Sequence, residues 1–222
     1  MRTVIATAVA PEHALPLILV LIPAGVLLLR RVSVFLHEVS VPFRPGHPAV
    51  ISGIWLFSLA GTLVLMAPVP LAARFNTMLM LGFLLQMAVT DAVSGYLPRT
   101  FTLRFLAAGL LLVACLPSSG SLRLVETAAT GVLVCLFHVL VNRHGDRIGR
   151  GDLWLLTGLT AWTGFDATVQ IAVWGTGGFI LWHCTGRLTG KKEGPLGPWF
   201  CISCAVLQLN AFYQPVWVWV FQ

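Results

Sequence analysis

Ile148-Gly149-Arg150-Gly151-Asp152-Leu153 places two glycines and a carboxylate in four residues, between two strongly apolar stretches. A second carboxylate, Asp91, closes an earlier apolar run and opens Asp91-Ala92-Val93-Ser94-Gly95-Tyr96-Leu97-Pro98. Acids at the borders of apolar runs are expensive unless they have a task or a partner. The fold follows from the runs around these two acids, and the chemistry from the acids themselves.

Of the 222 residues, 57% are hydrophobic and 10% are charged. A soluble domain carries about a quarter charged residues. The apolar residues come in repeated long runs, so one soluble core does not account for them. At about 20 residues per crossing, the chain reads as an all-α polytopic membrane protein with about eight transmembrane helices. A single integral membrane domain over residues 1–222 is expected.

The runs place spans near 14–29, 49–67, 76–90, 101–116, 122–141, 152–164, 167–185 and 198–213. Pro42, Pro45 and Pro48 mark 30–48 as a loop, Pro68 and Pro70 stop the second span, and Asp91 ends the third. Gly95 and Pro98 break the chain after Asp91, and Pro117-Ser118-Ser119-Gly120-Ser121 is a turn. Trp217, Trp219 and Phe221, beyond Pro215, read as an interfacial belt. Ala8-Val9-Ala10 precedes the first apolar run instead of following it, which argues against a cleaved signal peptide.

The net charge of +6 is scattered singly through short loops, the pattern of topology signals and not of a nucleic-acid surface. Arg30, Arg31, Arg44, Arg99, Arg104, Arg143, Arg147, Arg150, Arg187, Lys191 and Lys192 fall in or beside alternate loops. Only Arg2, Arg74 and Arg123 fall on the other side. The rich loops are therefore expected in the cytoplasm, with both termini outside and both Asp91 and Asp152 at the cytoplasmic face. Five cysteines make no disulfide framework. Cys201 and Cys204 form a lone CxxC inside an apolar run, and packing thiols are the expectation, with no metal and no cofactor.

Gly149-Arg150-Gly151-Asp152 resembles the GxGD motif of intramembrane aspartyl proteases. Together with Asp91, with Leu97-Pro98 six and seven residues on, and with Gly194-Pro195-Leu196-Gly197-Pro198 before the last run, it resembles the bacterial type IV prepilin peptidase family over roughly 76–205. The resemblance implies catalytic Asp91 and Asp152, supported by Gly149, Gly151, Leu97, Pro98, Pro195, Gly197 and Pro198. It implies an inner-membrane enzyme whose partners are the lipid bilayer and a prepilin or pseudopilin, with self-association left open. Many members carry a zinc-binding CxxC domain after the first span, linked to N-methylation. The loop 30–48 is too short for it and has no cysteine, so peptidase activity without methyl transfer is expected.

Two carboxylates sharing one proton can hydrolyse a peptide without a metal: the anion takes a proton from water and the acid polarises the carbonyl. Asp91 at a helix C-terminus and Asp152 at a helix N-terminus suggest, from their own helix dipoles, that Asp91 carries the proton and Asp152 is the base. The plainer readings are an N-cap for Asp152 and a loop position for Asp91. Another GxGD protease, of the archaeal preflagellin type, is one rival; a proton-coupled small transporter and a non-catalytic assembly factor are others. Asp146 and Asp166 read as solvated loop residues, and Glu126 as lying on the side away from the pair. His138 reads as buried and bonded to a neighbouring helix, and His183 as lacking co-ligands.

Overall fold

The computed structural model describes residues 11–115, 120–141, 143, 149–187 and 194–220, with the backbone alone at 11, 186–187 and 215–220. Among these residues the chain is all-helical. After a 3₁₀ turn at Pro11–His13 come α1 (Ala14–Glu38), α2 (Pro48–Met66), α3 (Leu71–Ser94), α4 (Arg99–Ala114), α5 (Gly120–Val141), α6 (Arg150–Thr163), α7 (Phe165–Arg187) and α8 (Gly197–Val220). Four of them, α1, α2, α3 and α5, are long and apolar enough to cross a membrane.

The spans expected from the apolar runs all coincide with helices, but α1, α3 and α8 outrun their apolar stretch; α3 covers Leu71–Ser94 and contains Asp91 instead of ending at it. The expected loop at 30 is helix as far as Glu38, because nothing between Arg30 and Glu38 breaks a helix; the prolines begin at Pro42. The last helix continues through Pro215 to Val220. The turn at 117–119, most of the polar segment 142–148, the loop 188–193 and the side chains of the aromatic tail lie outside the described residues.

The chain divides into two compact units. In the first, residues 1–89 with 205–222, α1 and α2 pack antiparallel. Small residues bring them together, with Gly25 against Ile54 and Phe57, and Gly61 against Leu21. Arg74 is buried and donates from Nε to the Val69 carbonyl and from Nη1 to the Leu65 carbonyl, satisfying the last turn of α2.

The second unit, residues 90–204, holds both acids. Its centre is α6. Helix α4 runs parallel to it, with Leu97 beside Gly151, Phe105 beside Gly158, and Gly109 beside Ala161 and Trp162. Phe105 and Trp162 stack at 5.4 Å, and Trp162 Nε1 donates to the Phe105 carbonyl. Helix α5 runs antiparallel, with Gly131 facing Thr157 and Arg123 reaching the far end of α6. Hydroxyls along α6 are satisfied by their own helix: buried Thr157 and Thr160 and half-buried Thr163 each donate to the carbonyl four residues back. The outer face of α5 exposes Val132, Leu133, Leu136, Val139 and Leu140, an apolar surface that suits lipid and not water.

The α6–α7 junction is capped from α5. Gly164 takes a positive φ of 91°. Arg123 Nη1 donates to the Trp162 carbonyl, and the Phe165 N–H donates to Glu126 Oε2. A cation therefore meets the C-terminal end of α6 and an anion the N-terminal end of α7, each matching the local dipole. Glu126 lies at the end of α6 opposite Asp152, as its sequence position implied.

Candidate active site

Asp91 lies in the last turn of α3 and is 4% exposed. The helix runs three residues past it and ends on Gly95, whose φ of +66° allows its N–H to close onto the Asp91 carbonyl at 2.7 Å. Ser94 Oγ donates to the Thr90 carbonyl and accepts from the Tyr96 N–H, tightening the same turn. The chain then enters α4 through buried Leu97 and Pro98; Pro98 is the N-cap, and its carbonyl accepts from Phe101 and Thr102. Asp91 is thus a buried helical residue, and the plain loop reading does not hold.

Asp152 is the third residue of α6. The N-cap of that helix is Gly149, with extended backbone and no side-chain cap, so Asp152 does not serve as a cap. Its Oδ2 lies 3.1 Å from where a Gly149 side chain would begin. Among the described residues, its Oδ1 is buried without a hydrogen-bond partner. A buried, unsatisfied carboxylate oxygen is costly and calls for a functional or chemical reason.

The two acids meet at the start of α8. The Gly197 N–H donates to Asp91 Oδ2 at 2.9 Å. A Cβ on Gly197 would stand 2.7 Å from Asp91 Oδ2 and 3.5 Å from Asp152 Oδ1. Two oxygens that close to one point are within about 6 Å of each other, the range over which like charges govern one another's ionisation. Helix α7 fixes α8 here, with Gly175 against Phe200 and Gly178 against Trp199.

The glycine motif and the Leu-Pro motif are one contact. A Cβ on Gly151 would lie 2.5 Å from the Leu97 carbonyl oxygen and 2.7 Å from Leu97 Cβ. Only glycine permits that approach, which ties the first turn of α6 to the segment after Asp91. Gly149, Gly151, Leu97 and Gly197 therefore gather with the two acids. Pro195 and Pro198 flank Gly197 and are half-buried, with Pro198 in the first turn of α8. Gly197 is the first residue of α8.

Asp152 opens onto a cleft of about 720 Å³ lined also by Tyr96, Arg99, Cys135, His138, Arg150 and Trp154. No sequence signal marks this wall: its residues come from three separate segments, and His138 reads from its neighbours as buried in an apolar helix. Cys201, one turn after Gly197, is buried within electrostatic reach of both acids, and Cys204 is buried below it.

A family model described as the type IV leader peptidase family matches residues 78–185. That region belongs to the type IV leader peptidase family. It holds Asp91, Leu97 and the whole glycine motif, and ends short of Gly197. The chain is 32% identical over 160 residues to a prepilin leader peptidase/N-methyltransferase of Burkholderia pseudomallei, covering 66% of this chain and 49% of the relative. It is 30% identical over 151 residues to one of Dickeya chrysanthemi, covering 64% and 53%. The chain thus spans about half the length of the curated relatives it matches. No solved structure matches it. The four apolar helices and the similarity to this peptidase family suit a multi-pass membrane protein.

Proposed function

We propose that Asp91 and Asp152 are the catalytic pair of a membrane aspartyl endopeptidase, which removes the leader of type IV prepilins or pseudopilins at the cytoplasmic face of the inner membrane. The observation that carries this is the convergence of the two carboxylates on Gly197, with one oxygen of Asp152 left unsatisfied.

A buried pair this close holds one proton between its members. A water between them loses a proton to the ionised carboxylate as its oxygen bonds to the scissile carbon. The protonated carboxyl gives its proton to the carbonyl oxygen, and a tetrahedral diol forms. Collapse breaks the C–N bond, and the amine nitrogen takes up the proton first drawn from water. The cleft beside Asp152 gives a peptide access. The charge bias of the loops supports placing this end of α6 in the cytoplasm, and counting the four shorter or more polar helices as crossings gives about eight spans.

Both of these relatives are named for N-methyltransferase as well as leader-peptidase activity. The connection between α1 and α2 is only 39–47 and has no cysteine, which supports peptidase activity without methyl transfer. The test is leader removal from a type IV prepilin co-expressed in membranes, followed by mass analysis of the new amino terminus. Cleavage to an unmethylated product by the parent, and none by Asp91→Ala or Asp152→Ala, is expected. An inserted, folded parent that leaves every prepilin uncut would remove the proposal.

A further inference from the structure

The two carboxylates are not equivalent, and their surroundings distinguish them. Asp91 Oδ2 accepts a hydrogen bond from a backbone N–H at the N-terminus of a 24-residue helix. A donor of that kind stabilises a carboxylate anion and can do little for a neutral acid's carbonyl by comparison. The free N–H groups and dipole of the α8 terminus act in the same sense. Asp152 Oδ1 has no donor among the described residues and is buried, and burial without a donor favours the neutral form. Arg99 and Arg150 line the same cleft. Both are solvent-exposed, and among the described residues neither forms an ion pair with Asp152. Exposed cations of this kind are screened and weak. Tyr96, Cys135 and His138 line that cleft as well; Cys201, on the α8 side, is a buried thiol that supplies no positive charge.

We propose that Gly197 is a positioning residue that divides the labour of the pair: its backbone N–H holds Asp91 as the anion that takes the proton from water, and leaves the shared proton on Asp152, which passes it to the scissile carbonyl oxygen. This reverses the assignment that each acid's own helix dipole suggests. A third helix, more than a hundred residues away in sequence from Asp91, supplies the deciding donor. The glycine is required because any Cβ at this position would stand 2.7 Å from Asp91 Oδ2 and push the carboxylate off the amide. The inference rests on the proposed peptidase reading for its catalytic meaning, but the ionisation pattern can be read without catalysis.

Two alkylating probes report it. Ethyl diazoacetate esterifies a neutral carboxyl: the acid proton goes to the diazo carbon, nitrogen gas leaves, and the C–O bond forms. Phenyl glycidyl ether is opened by a carboxylate anion, giving a hydroxyalkyl ester after the alkoxide takes a proton from water. In membranes at neutral pH, peptide mapping of the parent should find the diazo ester on Asp152 and the glycidyl ester on Asp91. The opposite distribution, or both reagents on both residues alike, overturns the assignment. In Gly197→Ala, the glycidyl label on Asp91 should fall several-fold, and kcat for leader removal should fall about 100-fold with KM within about twofold. A variant that instead keeps kcat and raises KM, or keeps the parent's labelling, overturns the role of Gly197. Should the variant not fold, the labelling of the parent decides alone. A parent that labels as expected but cuts no prepilin keeps the assignment and loses the peptidase reading.

Discussion

Gly151→Ala tests how the family motifs are joined. The added Cβ would meet the Leu97 carbonyl oxygen at 2.5 Å and Leu97 Cβ at 2.7 Å, where ordinary contacts begin near 3.4 Å. Neither neighbour is the free end of a flexible chain, so α6 or the Leu97-Pro98 segment must shift by about 1 Å. Overpacking of this kind costs about 1–3 kcal/mol, and alanine's helix preference over glycine returns only about 1 kcal/mol. The larger effect is on geometry. Asp152 is the next residue, and a displacement of about 1 Å at a catalytic group costs about 100-fold in rate. The assay is the initial rate of leader removal in detergent or membranes, beside thermal unfolding. We expect kcat to fall about 100-fold while a folded transition remains. The control is Gly177→Ala on α7, where a Cβ meets nothing within 4 Å; it should keep full rate and be stabilised by up to about 1 kcal/mol. A Gly151→Ala enzyme within a few-fold of the parent would refute the claim that this contact sets the position of Asp152.

Other substitutions separate scaffold from site. Trp162→Phe keeps the stack on Phe105 but loses the Nε1 bond to the Phe105 carbonyl, and should lower stability by about 1 kcal/mol with the rate per folded molecule unchanged. Glu126→Gln weakens the acceptor for the Phe165 N–H at the far end of α6 and should lower the melting temperature slightly without altering kcat. Asp166→Asn, on an exposed residue in the first turn of α7, should leave cleavage untouched, which distinguishes the buried pair from the chain's other acids.

Much of the fold is legible in the sequence because membrane helices announce themselves by apolar length, and prolines and glycines punctuate them. The ends are less legible. α1 continues past Arg30-Arg31 to Glu38 because a helix needs no apolar side chains once it leaves the apolar region, only the absence of a breaker. The two acids are visible as charges at the borders of apolar runs, and the glycines beside Asp152 mark a close approach. What they approach is not visible: Gly151 meets Leu97, and Gly197 meets Asp91, across gaps that no periodicity records. For the same reason an acid's own helix dipole misleads. The Gly197 amide that bonds Asp91 belongs to a helix whose placement follows from packing on α7, not from any local pattern. The cleft wall of Tyr96, His138 and Trp154 is hidden likewise, since its members share a surface only after folding.

The central claim is that Asp91 and Asp152 act as one unit. The most direct measurement is the rate of prepilin leader removal by the parent, by Asp91→Asn, by Asp152→Asn and by the double variant, each shown to be folded and inserted. Residues that act together lose their function together, so each single variant should be as inactive as the double. A single variant that retains substantial cleavage, or losses that multiply in the double variant as independent sites would, would contradict the account.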